Sequence, residues 1–251
     1  PQSAKETINR LQKEGHKIFL ATGRRKNEIG KIMSNMSIDN AVCSGGATII
    51  IDHKVEKEEF FSKYELRNIL YECKKYNVIM VSVGEGRCYT SYNGLRLKPY
   101  ILLMKLYSIS KRFRVGSVEG GCGANYTDIK TLNEEEFLNQ PTQKIIFFNS
   151  RHIGKIDYLN NYTIYNERIW RTIEFDFKEK GIEYIIKKYN VDINDIVVFG
   201  DGINDIGMFN YVKNSIAMGN SCQEIKDIAS FITKKSNEDG IEYACKYFGW
   251  I

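Results

Sequence analysis

Proline is scarce in this chain, with three in 251 residues, at positions 1, 99 and 141. No Pro-rich linker marks a domain boundary, so boundaries have to be read from changes of pattern. Long hydrophobic runs are missing too. No window approaches the roughly 18 apolar residues of a membrane span, and no secretory leader is visible. The chain opens on Pro1 rather than Met. The six cysteines, at 43, 73, 88, 122, 222 and 245, form no C-x-x-C pair, and no histidine stands at zinc-finger spacing from them. Free thiols in a reducing cytoplasm fit this pattern better than a disulfide framework. Charge of one sign is not concentrated either. The 36 Lys and Arg exceed the 31 Asp and Glu by five and are scattered, which reads as a solvated surface rather than a nucleic-acid groove. The expectation is a soluble, cytoplasmic protein with neither nucleic acid nor membrane as a partner. Whether it is a monomer or a weak homo-oligomer is open.

What is present is an ordinary globular composition, 43% hydrophobic and 27% charged. The length suits one large domain or two modest ones. Ser3-Ala4-Lys5-Glu6 reads as a capping box opening a helix that Gly15 stops. "KIFLAT" (17–22) is a short strand, and Ile29, Ile32, Met33 and Met36 give the next helix its apolar face. "AVCSGGATIII" (41–51) reads as strand, glycine turn and strand, with "VEKEEFF" (55–61) able to pair back. From about Lys63 the style changes to mixed α+β, with several strands lacking a helix between them. After Lys178 the strict alternation of helix and strand returns. The two ends of the chain therefore form one doubly wound, Rossmann-like α/β core with a parallel sheet, residues 1–61 and 177–251, and 62–176 is an inserted α+β domain.

Ligands of open parallel sheets bind beyond the carboxyl ends of the strands. Polar residues fall there in this sequence. Thr22, followed by Gly23 and Arg24, ends "KIFLA"; Asp201, Asn204 and Asp205 follow "IVVFG"; Lys180 stands at the start of the helix before that strand. A hydroxyl, an ammonium, an amide and carboxylates suit a phosphate held beside a hard cation. Mg²⁺ keeps several waters and takes one or two protein carboxylates. Asp201 leaves the strand first and is the better ligand, with Asp205 beside it at a helix start. A lysine supplies a point charge to phosphoryl oxygens, and Lys178 competes with Lys180 for that role. Thr22 offers a hydroxyl, with backbone N–H groups behind it.

Six stretches, "ATGR" (21–24), "SGGATI" (44–49), "KGIEYI" (180–185), "GDGIND" (200–205), "AMGNS" (217–221) and "EDG" (238–240), resemble the Cof-type phosphatases of the haloacid dehalogenase superfamily, the subclass with an inserted α/β cap (type IIB). The resemblance implies a Mg²⁺-dependent phosphohydrolase of small phosphorylated metabolites, commonly sugar phosphates, working through an aspartyl-phosphate. It implies that Thr22, Gly23, Arg24, Lys180 and Asn204 hold the phosphoryl group, that Thr22 and Lys180 serve catalysis, and that Asp201 and Asp205 belong to the metal. Residues of the cap would select the leaving group. The family's first motif, D-x-D-G-T, supplies the nucleophile and is absent here. No D-x-D precedes "ATGR", and Gly45 stands where the family often has Asn. The nucleophilic Asp is expected upstream of Pro1, and the chain as it stands is expected to be inactive. A sugar phosphomutase on the same scaffold and a catalytically silent metabolite-binding protein are the alternatives.

Overall fold

The computed structural model describes residues 1–84, 87–114, 128–166 and 169–251, with the backbone alone over 107–114. Cys122 and most of the polar stretch 116–136 lie outside the described residues. Chain contacts divide the molecule into two compact bodies, Pro1–Glu58 with Asp176–Ile251, and Glu59–Phe175.

The first body begins with α1 (Gln2–Lys13), which buries Ala4, Thr7, Ile8 and Leu11 at helical spacing. Its start differs from the sequence expectation. Pro1 takes the cap position with no side-chain bond, so Ser3 already lies inside the first turn. Its hydroxyl instead donates to Asp239 Oδ1 at 2.5 Å, a residue 236 positions away. β1 (Phe19–Ala21), α2 (Lys26–Met36) and β2 (Asn40–Cys43) follow, and β1 pairs parallel with β2. β3 (Thr48–Ile51) folds back antiparallel on β2, and β4 (Lys54–Glu58) on β3. The last turn is two residues, Asp52 and His53, both at positive φ (48° and 62°), the twist that a tight hairpin requires.

The second body opens with α3 (Lys63–Lys75), started by a reciprocal cap. Ser62 Oγ accepts from Glu65 N at 3.2 Å, and Glu65 Oε2 accepts from Ser62 N at 2.7 Å. Then come β5 (Ile79–Val83), β6 (Cys88–Thr90), α4 (Gly94–Arg114), β7 (Ile129–Thr131), α5 (Glu134–Leu138), β8 (Lys144–Phe148), β9 (Ile164–Asn166) and β10 (Arg171–Glu174). The strands form one sheet in the order β7-β6-β5-β8-β10-β9. Only the β6–β7 pair is parallel. Leu66, Ile69 and Leu70 from α3, Met80 and Val81 from β5, and Ile145 to Phe148 from β8 are essentially inaccessible.

The chain returns to the first body through α6 (Lys178–Tyr189), β11 (Val197–Gly200), α7 (Ile206–Tyr211), β12 (Asn214–Ala217), α8 (Gln223–Ile228), β13 (Phe231–Ile232) and α9 (Gly240–Tyr247). β11, β12 and β13 are all parallel, joined by short helices. α9 packs against α1, so both ends of the chain share this body. The architecture is a doubly wound α/β core with an inserted α+β body. β1 and β11 are each the end strand of their sheet. Apart from the buried Val198 and the exposed Ala21, their residues are half-buried.

Candidate active site

Three loops at the carboxyl ends of β1, β2 and β11 are joined by a continuous run of hydrogen bonds. Thr22, just past β1, donates its N–H to Val42 at 2.9 Å, and its carbonyl accepts from Gly45 N at 3.2 Å. Gly45 returns a carbonyl to Phe177 N at 2.9 Å. Phe177 leads into Lys178, whose ammonium donates to Asp205 Oδ1 at 2.6 Å. Asp205 Oδ2 then accepts from the backbone of Asp201 at 3.0 Å and Gly202 at 3.1 Å. Segments separated by nearly the whole chain thus meet in one polar run.

Local packing explains how α6 reaches this place. Gly46 has φ +102°, and a β-carbon on it would lie 2.4 Å from the carbonyl oxygen of Phe177. Only glycine satisfies both demands. One turn into the helix, a β-carbon on Gly181 would lie 2.4 Å from Val42 Cγ1, so α6 seats directly on β2. The helix buries Lys178, Gly181, Ile182 and Ile185, a stripe at i, i+3, i+4 and i+7.

That stripe corrects the choice between the two lysines. Lys178 is 4% exposed and pairs with an Asp205 that is 6% exposed. Lys180 lies two residues on, about 200° around the helix. It is exposed, with its ammonium 4.2 Å from the centre of the Phe177 ring. The structure brings Lys178, not Lys180, to the carboxylate. The helical phase of the apolar residues carried this signal, since Lys178 continues the line of Ile182 and Ile185 backward. A buried ion pair holds only when both charges are present, and this pair fixes the first turn of α6 to the loop after β11.

Asp205 also differs from a free metal ligand. Both of its oxygens are engaged, one by Lys178 and the other by two backbone N–H groups, so its evident work is to orient the lysine and the Asp201 loop. Asp201 is exposed, and its carboxylate takes no hydrogen bond among the described residues. Asn204 is half-buried in the short turn 203–205. Thr22 Oγ1 accepts from Arg24 N at 3.1 Å, which leaves its proton free to donate. Gly23 is half-buried and the Arg24 side chain is exposed, while Arg24 accepts from Ser44 N at 2.7 Å through its carbonyl. Among the described residues no three His, Cys, Asp or Glu side chains group to hold a metal by themselves. One free carboxylate with a second behind it suits a cation that retains most of its water, as Mg²⁺ does.

Cys43, at the end of β2, is no alternative nucleophile. Burial, reinforced by the charge of Glu58, pushes its thiol up to about 12, so it stays protonated at neutral pH.

A family model described as haloacid dehalogenase-like hydrolase matches residues 1–245. The chain is similar to a protein of Bacillus subtilis (strain 168) named "Putative phosphatase YkrA", 26% identical over 260 residues that cover 100% of this chain and 91% of the relative. Among solved structures, one from Geobacillus kaustophilus HTA426 superimposes with a TM-score of 0.79 at 22% identity, covering 100% of this chain and 92% of the other. Another, described as the HAD subclass IIB sugar phosphatase BT4131, gives a TM-score of 0.73 at 24% identity, again covering 100% and 92%. At these identities the structures establish the fold.

Proposed function

Because the chain belongs to the haloacid dehalogenase-like hydrolase family, we propose that it is a Mg²⁺-dependent phosphatase of small phosphorylated metabolites, sugar phosphates among them. It is a phosphoric monoester hydrolase by family. The cation and the substrate class are our reading. The observation that carries it is the run of hydrogen bonds from Thr22 through Gly45, Phe177, Lys178 and Asp205 to Asp201, which ties the polar ends of β1, β2 and β11 into one unit.

In this reading Thr22 donates its hydroxyl proton to a phosphoryl oxygen, and the backbone of Gly23 and Arg24 adds donors beside it. Lys178, taking the role first given to Lys180, neutralises charge on the phosphoryl group. Its ammonium is held in a low-dielectric setting by Asp205, where a fixed charge counts for more than in water. Asn204 contacts the phosphate through its amide. Asp201 holds the Mg²⁺ and Asp205 supports it. When bound, the cation supplies neutralisation of the transferring group. By the family resemblance the nucleophile is the first Asp of a D-x-D-G-T motif, which these 251 residues do not contain.

The test uses the protein carrying that motif, with p-nitrophenyl phosphate and a panel of sugar phosphates. Hydrolysis should require Mg²⁺ and vanish in Asp201→Ala. Mg²⁺-dependent turnover that survives this substitution refutes the assignment.

A further inference from the structure

α4 is the odd helix of the second body. It runs 21 residues, about 31 Å at the usual rise, and its sequence contains six Lys or Arg and no Asp or Glu. It carries two apolar faces. One packs inward through Leu97 and Met104, with Tyr100 and Ile101 beside them. The other points outward. Leu95, Leu102 and Leu106 are 65%, 59% and 55% exposed, and at about 100° per residue they fall within roughly 40° of arc. The three leucines share one stripe of the helix, with exposed Pro99 between Leu95 and Leu102. Exposed Lys98 and Lys105 flank it on one side, and Leu103 and exposed Arg96 on the other.

A cavity of about 440 Å³ opens at the N-terminal end of the stripe, lined by Lys74, Ser91, Tyr92, Asn93, Leu95 and Arg96. It brings two cationic side chains beside the first leucine. Lys74 is also paired with Glu134.

Isolated exposed leucines need no explanation, but an aligned set flanked by cations does. Charge decides what fits. A second copy docked through this face would bring lysines and arginines against each other, because α4 has no acid to pair them. Nucleic acid would match the cations and leave the leucines in water. A flat surface with an apolar interior and anionic headgroups satisfies both features at once.

We propose that α4 is a peripheral contact for an anionic lipid surface, with the leucine stripe entering the headgroup boundary and Arg96 and Lys98 pairing with lipid phosphates. The cavity at its N-terminal end accepts one headgroup. This revises the sequence-based expectation of no membrane partner. No described helix is long and apolar enough to cross a membrane, and lying on a surface needs no such span. The inference is independent of the phosphatase chemistry.

Co-sedimentation of the full chain with vesicles tests it. Phosphatidylcholine vesicles containing phosphatidylglycerol should carry the protein down at low salt, and high salt should release it. Pure phosphatidylcholine should not bind. Leu102→Glu with Leu106→Glu should weaken binding at least roughly tenfold, because two apolar groups in the boundary become charges. Arg96→Gln and Lys98→Gln should weaken it roughly fivefold for each cation removed. The thermal midpoint of each variant shows that it remains folded. No sedimentation with anionic vesicles, equal sedimentation with neutral ones, or variants that bind like the parent would each overturn the proposal. So would a concentration-dependent dimer that the leucine variant abolishes without any change in vesicle binding.

Discussion

The two bodies are stabilised by different means. In the second, the central strands β5 and β8 are buried along almost their whole length, and Phe137, Phe147 and Phe148 have no accessible surface. Three of its buried hydroxyls are closed off locally, Ser82 with Thr142 at 2.5 Å and Thr90 to the Met80 carbonyl at 2.8 Å. In the first, the strand ends are joined by backbone hydrogen bonds and one buried ion pair. Lys178 pairs with Asp205, and the nearly inaccessible Arg25 with Glu28 at 2.8 Å. Apolar packing tolerates small rearrangement, whereas a buried ion pair demands both partners in place. The body holding the candidate chemistry therefore has its geometry fixed by polar contacts at the strand ends, and the other body carries the larger apolar core.

Substitutions can break this contrast from either side. Asp205→Ala should be the most damaging to the first body, since it strands a buried ammonium and frees two N–H groups. A loss of about 3–5 kcal/mol is expected, read by denaturant unfolding. A loss below about 1 kcal/mol would mean that the pair is not buried in solution. Phe147→Ala should cost a similar or slightly smaller amount, about 3–5 kcal/mol, as a cavity in the second body. It should leave the chemistry of the first body's strand ends intact, which phosphatase assays of the complete protein can check. Ser62→Ala removes one half of the reciprocal cap on α3 and should cost about 1 kcal/mol, seen as a shift of the thermal midpoint. Lys180→Ala, an exposed change, should move stability by less than about 0.5 kcal/mol.

Much of this was legible in the sequence. The strand-helix alternation at the two ends gave the α/β core, and the change of style near Lys63 gave the inserted body. Asp201 and Thr22 could be placed because apolar runs stop directly before them. The first helix start was misread because a Ser-x-x-Glu pattern also occurs inside a turn, where Ser3 serves Asp239 instead. The lysine pattern is ambiguous in the sequence for a different reason. Both lysines stand near a strand end in sequence, and only helical phase, set by Gly181 seating on Val42, separates the buried one from the exposed one. The engagement of Asp205 by backbone donors depends on the tight turn after Gly200, which no periodicity reports.

In the proposed site Lys178, fixed by Asp205, is the cation. Steady-state kinetics of the protein carrying the D-x-D-G-T motif, with p-nitrophenyl phosphate and Mg²⁺, tests it most directly. Lys178→Ala should lower kcat by roughly a hundredfold or more, and Lys180→Ala should leave it within about twofold, a difference of under 0.5 kcal/mol. Loss of turnover in Lys180→Ala with Lys178→Ala still active would contradict the account.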